Sequence, residues 1–171
     1  VSGDSPLLRI EQLHVALPPW ADRPFAVEDV SIDLYRNEIL CVVGESGSGK
    51  SVMSRAVMGL FASRHVRPTG GRILLDGENL LEATHERLRA IRGNRVAMIF
   101  QEPMTALNPV HRIGRQIEEV LEIHRVGTPA ERRARAVAML EAVNLPDPAK
   151  ILAAYPHQLS GGQRQRAMIA M

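Results

Sequence analysis

An apolar run, Ile39-Leu-Cys-Val-Val43, leads straight into Gly44-Glu-Ser-Gly-Ser-Gly-Lys-Ser51, and no other stretch restricts the fold and chemistry of this chain so tightly. The second segment fits the pattern G-x-x-x-x-G-K-[ST]. It also sits where that pattern acquires physical meaning, after an extended apolar segment and before Val52, Met53, Ala56, Val57 and Leu60, which share one helical face. Glycines let a backbone wrap closely around a phosphate chain with successive N–H groups turned inward, and the start of a helix adds positive field. In such a loop Lys50 reaches the β- and γ-phosphates as a point charge and Ser51 ligates Mg²⁺. The expectation is an α/β domain in which residues 39–43 form a strand buried on both faces of a mostly parallel sheet, with Cys41 an inert core residue.

Composition narrows the class further. With 171 residues, 45% hydrophobic and 23% charged, the chain reads as one soluble domain or a piece of a larger one. Its longest apolar runs are about five residues, against roughly 20 for a membrane span. The opening Val-Ser-Gly-Asp-Ser-Pro lacks a basic and apolar leader, so no export signal is expected in these residues. A single cysteine excludes an intramolecular disulfide and suits a reducing cytoplasm. The histidines at 14, 65, 85, 111, 124 and 157 show no helical pairing, so no zinc site is expected. A net charge of +2, no basic block and 4% aromatic residues argue against a nucleic-acid partner that stacks bases. Of the 21 basic residues only Lys50 and Lys150 are lysines, which makes a lysine inside the glycine loop a pointed choice.

Segment 7–17 and the alternation of Val30, Ile32 and Leu34 with Ser31, Asp33 and Tyr35 predict half-buried antiparallel strands joined by a loop holding Pro18, Pro19 and Pro24. Residues 70–77 predict a strand entering an Asp76-Gly77 hairpin, and Arg95-Val-Ala-Met-Ile-Phe100 a second buried strand ending at Gln101. Beyond it the pattern turns helical, with Ile113, Ile117, Val120, Leu121 and His124 in one stripe. A helix follows over 129–143 with Val137, Leu140 and Val143 inward, and Pro146 and Pro148 interrupt. Leu159-Ser-Gly-Gly-Gln163 then opens a helix over 164–171. Taken alone, that turn is more readily a capped helix start than an anion site.

Gly44 to Ser51, then Gln101, then Leu159-Ser-Gly-Gly-Gln163, in that order, resemble the ATP-binding subunit of ABC transporters, whose signature pentapeptide is met without substitution. Residues 96–109 (Val-Ala-Met-Ile-Phe-Gln-Glu-Pro-Met-Thr-Ala-Leu-Asn-Pro) and 155–162 (Tyr-Pro-His-Gln-Leu-Ser-Gly-Gly) look like the subgroup that powers import of oligopeptides, dipeptides, glutathione or nickel. The resemblance implies a P-loop NTPase of the ABC ATPase type: an antiparallel β-subdomain and phosphate-loop core over about 1–100, a Gln101 loop and helical subdomain over about 101–163, and the signature turn with the start of its helix over 159–171. It further implies ATP and Mg²⁺ as cofactors. Gly44, Glu45, Ser46, Gly47, Ser48, Gly49, Lys50, Ser51 and Val52 would hold the nucleotide, with Ser160, Gly161, Gly162 and Gln163 reaching nucleotide on a second, head-to-tail ATP-binding domain.

Ser51 and Gln101 would serve the metal, and Lys50 and Gln101 catalysis. Permease subunits, and through them a substrate-binding protein, are the implied partners, at the cytoplasmic face of a membrane. The family's adenine-stacking aromatic aligns near Leu17, leaving Trp20 or Phe25 as substitutes. Its Walker B strand, ending Asp-Glu, has no counterpart before Met171; Ile73-Leu-Leu-Asp76 ends in a hairpin Gly77 instead. These residues alone are therefore expected to bind nucleotide with little or no turnover, and to expose sheet edge beside the phosphate loop. Chromosome-maintenance or translation-factor ATPases and kinase-type P-loop folds share parts of the pattern and remain alternatives.

Overall fold

The computed structural model describes residues 5–61, 63–100 and 107–171, in two compact units, Val1–Arg92 and Gly93–Met171. In the first, β1 (Leu8–Ala16), β2 (Phe25–Leu34), β3 (Arg67–Leu75) and β4 (Glu78–Asn79) form an antiparallel sheet in the order β2-β1-β3-β4. Strand alternation sets its two faces. Ile10 pairs with Ile32 on one side and Ile73 on the other, and Ile10, Leu13, Val15, Ile73 and Leu75 are buried. On the opposite face Arg9 meets Asp33 at 2.8 Å and Arg72 meets Glu11 at 2.6 Å, pairs that lie directly across the ladders. Exposed pairs of this kind add little stability, so they select register more than they stabilise. At the Asp76-Gly77 turn both residues take positive φ, 46° and 82°, as a two-residue hairpin requires.

The helix α1 (Lys50–Val57) buries Met53 and Ala56. It stops before Leu60, because Gly59 and Leu60 donate back to the Ala56 and Arg55 carbonyls. A short helix that periodicity did not foresee, α2 (His85–Ile91), is capped by Thr84 and buries only Leu88 and Ile91, too few apolar positions to register as a stripe.

The second unit holds α3 (Ile113–Ile123), α4 (Pro129–Ala142), α5 (Pro148–Ala153) and α6 (Gly161–Ile169) around Ile113, Ile117, Ala136, Leu140, Leu152 and Ala167. Gln116, on the same face of α3, is buried and fully satisfied. Its amide donates to the Asn108 and His111 carbonyls at 3.1 and 2.9 Å and its oxygen accepts from Asn108 N–H at 2.9 Å, tying the entering chain to α3. Pro148 does not interrupt helical structure but opens α5, with Asp147 as its cap. Thr128 and Glu131 form a reciprocal capping box at α4, and the two bonds from Thr128 hold the Glu131 carboxyl below its ordinary pKa.

Three expectations are corrected. Residues 39–43 and 97–100 form no strand: Ile39 is 96% and Val43 83% exposed, Ile99 and Phe100 are also exposed, and so is Cys41, expected in the core. A parallel central strand takes both its ladder and its cover from neighbours on either side. Among the described residues the only sheet is the four-stranded antiparallel one, so these runs find neither. The signature helix also starts earlier than expected, at Gly161 rather than Arg164.

Candidate functional site

Residues 44–49 are a glycine turn feeding α1. Lys50, its first helical residue, folds its side chain back over the loop: Nζ donates to the Gly44 and Glu45 carbonyls, each at 2.7 Å, and to Ser48 Oγ at 3.2 Å. All three ammonium donors are thus aimed into the loop. A second cation holds the outside, where the Arg23 guanidinium donates to the Gly47 carbonyl.

Within this loop, Gly49 is the position least able to take a side chain. Its φ is +93°, and a Cβ there would stand 2.1 Å from the Ala26 carbonyl oxygen of β2. This close approach seats the start of α1 on the sheet. The helix begins with no side-chain cap and no acidic residue in its first turn. Backbone donors of a helix start that lack a cap favour an anion, and Ser51 stands exposed among them. A glycine turn, an inward lysine and an open helix start are a donor set that fits a phosphate chain, and the Ser51 hydroxyl fits a divalent cation accompanying it.

The second glycine turn, in the other unit, is built differently. Leu159 is buried in the helical core, and the 3-10 turn over Pro156–Gln158 before it is braced by Gln158 Oε1 accepting from Tyr155 N–H at 2.8 Å and by Arg112 5.7 Å from the Tyr155 ring centre. Ser160 and Gln163 then cap α6 reciprocally: Gln163 N–H donates to Ser160 Oγ at 3.3 Å and Ser160 N–H to Gln163 Oε1 at 2.9 Å. Gly161 and Gly162 are exposed, and a Cβ on either would meet nothing within 4 Å. A cavity of about 570 Å³ opens at the foot of this turn, lined in part by Lys150, Ile151, Gln158, Leu159 and Gln163.

Gln101 lies outside the described residues. Trp20, in the β1-β2 loop, is 74% exposed with its ring edge-on to His65 at 5.1 Å, whereas Phe25 is half-buried against His14. Arg23 was not singled out from the sequence. One more arginine in an arginine-rich chain carries no signal, and only the folded loop brings it to Gly47. Among the described residues no group of three or more His, Cys, Asp or Glu is placed to hold a metal ion, and no helix is long and apolar enough to cross a membrane.

A family model described as ABC transporter matches residues 27–171, a span containing both glycine turns. The chain belongs to the ABC transporter family. Among curated relatives, the peptidoglycan transport ATP-binding protein YejF of Agrobacterium fabrum is 49% identical over 99% of this chain and 31% of its own length. The probable D,D-dipeptide transport ATP-binding protein DdpD of Escherichia coli is 46% identical over 97% of this chain and 51% of its own length. The oligopeptide transport ATP-binding protein OppD of Lactococcus lactis subsp. cremoris is 44% identical over 96% of this chain and 48% of its own length. The chain thus spans about a third to a half of the length of these ABC transporter relatives.

Among solved structures, a dimeric form of MJ0796, a bacterial ABC transporter cassette, superposes with a TM-score of 0.80 at 26% identity, covering 95% of this chain and 67% of that one. The same cassette bound to ADP and Pi gives 0.77, with the same identity and coverage. The fold is therefore that of an ABC ATPase cassette.

Proposed function

We propose that the chain is the nucleotide-binding part of an ATP-driven importer motor, holding Mg-ATP on Gly44 to Val52 and serving uptake of peptides or a related small solute. The observation that carries the reading is the phosphate loop itself, with the Lys50 ammonium turned inward before a helix start that has no cap of its own. The peptide and dipeptide transport names of the relatives support the solute class. In this reading the loop amides and Lys50 hold the phosphates, Ser51 and Gln101 hold Mg²⁺, and Gln101 orients water and reports to the permease. Ser160, Gly161, Gly162 and Gln163 face nucleotide on a second ATP-binding domain in a head-to-tail pair. Because Ser160 Oγ already accepts from Gln163 N–H, its own hydroxyl proton remains to be donated outward. Bound Mg-ATP supplies the free energy that closes the paired domains and, on hydrolysis, resets them. The motor works at the cytoplasmic face of a membrane through permease subunits, with a substrate-binding protein upstream and no nucleic-acid partner.

Titration of Mg-ATP into the chain and into Lys50→Ala tests the reading. Binding that depends on Lys50 is the expected result. Equal binding by the two proteins, or none at millimolar ATP, would sink the motor reading.

A further inference from the structure

We propose that Arg23 is a positioning residue for nucleotide binding, holding the tip of the phosphate loop in register from outside while Lys50 holds it from within. The inference rests on the reading of residues 44–52 as the nucleotide site. The loop that carries Arg23 is itself rigidly based. It springs from the last β1-β2 pair, Ala16 with Phe25, and is closed by Leu17 N–H on the Pro24 carbonyl at 2.8 Å and Ala21 N–H on the Pro18 carbonyl at 2.9 Å. Pro24 also restricts the backbone of Arg23 next to it.

From that base the guanidinium reaches the Gly47 carbonyl. In a trans peptide the carbonyl and the following N–H point opposite ways. Turning Gly47 O toward Arg23 therefore turns Ser48 N–H back into the loop, where it donates to the Glu45 carbonyl at 3.2 Å. One peptide plane is thus held at both ends, at the exposed tip where a glycine restrains the backbone least. Lys50 takes the Gly44 and Glu45 carbonyls, so two cations from different elements hold three carbonyls of one short loop. Binding phosphate to a loop already in shape avoids an ordering cost that a loose loop would meet at each encounter. The charge also adds to the positive potential at the loop without requiring contact with a phosphate.

The test compares the chain with Arg23→Gln and Arg23→Lys by backbone NMR order parameters without nucleotide and by titration with Mg-ATP and Mg-ADP. In Arg23→Gln the order parameters of Gly47 and Ser48 should fall while those of β1 and β3 stay unchanged. Affinity for ATP and ADP should drop alike, by about fivefold, the worth of one ordinary hydrogen bond. Arg23→Lys, which keeps a charged donor, should recover most of both effects. Unchanged order parameters in Arg23→Gln would overturn the proposal, as would a loss confined to ATP, which would mark a direct γ-phosphate ligand instead. Loosening of all strands with a general fall in melting temperature would overturn it too, as a merely structural role. If the unmutated chain binds neither nucleotide, the motor reading fails, and the order parameters still decide what Arg23 does to the loop.

Discussion

The two glycine turns of this chain reach opposite solutions to the same problem, how to start a helix whose first N–H groups lack partners. At Gly44 to Ser51 the helix opens without a cap and a cation, the Lys50 ammonium, turns inward. At Leu159 to Gln163 the helix supplies its own cap, Ser160 and Gln163 satisfying each other. The first turn leaves its helix start uncapped, which in the proposed reading suits an anion. The second carries its own cap and exposes two glycines. The packing follows the same division, since Gly49 is pressed against Ala26 whereas a Cβ on Gly161 or Gly162 would meet nothing within 4 Å. Glycine serves close internal approach in one turn and external access in the other.

The contrast can be broken most severely at those glycines. Gly49→Ala adds a Cβ 2.1 Å from a carbonyl at a φ of +93°, and should destabilise the first unit by about 3 kcal/mol or more. Gly162→Ala, inside a helix with open space around it, should stabilise slightly, by about 0.5 kcal/mol. Thermal melting of the two variants side by side checks the pair, and equal shifts would erase the distinction.

Next in size, Lys50→Ala should weaken Mg-ATP binding by about 100-fold, near 2.7 kcal/mol, whereas Gln163→Ala in the isolated chain should leave it unchanged. Isothermal titration reads both. Ser160→Ala removes a cap and should lower the stability of α6 by about 1 kcal/mol, seen as faster amide exchange at its first turn, with no effect at α1.

The smallest effect separates two capping boxes. Glu131 is held below its ordinary pKa of 4.5 by the Thr128 bonds, so its contribution is fully present above that value and is lost as pH falls through the lower folded value. Gln163 does not titrate. Amide exchange corrected for intrinsic rates, followed from pH 6 downward, should show α4 fraying at its start below about pH 4.5 while α6 holds.

Much of this was legible in order. Asp76-Gly77 announced its hairpin because only a few residue pairs tolerate two successive positive φ values. The stripe Ile113 and Ile117 announced α3, and Gly44 to Ser51 its loop, because each pattern answers a local geometric demand. Gln116 escaped, since a buried polar side chain looks like any surface glutamine until the Asn108 and His111 carbonyls are in place around it. The apolar runs 39–43 and 96–100 misled for the complementary reason. Their composition reports an appetite for burial, and burial is supplied by neighbours elsewhere in the fold. Cys41 shared that error, and its exposed thiol is expected to react with a maleimide in the native chain.

The amino-acid sequence by itself determined the two glycine turns, the family motifs, the Asp76-Gly77 hairpin and the helices α1, α3 and α4, because each depends on residues within a few positions of one another. Only the tertiary structure decided what the loops lean on: Gly49 against the Ala26 carbonyl, Arg23 on Gly47, Leu159 sunk in the helical core beneath an exposed Ser160. Those contacts join residues far apart along the chain, and their worth comes from distances and directions that no local pattern encodes.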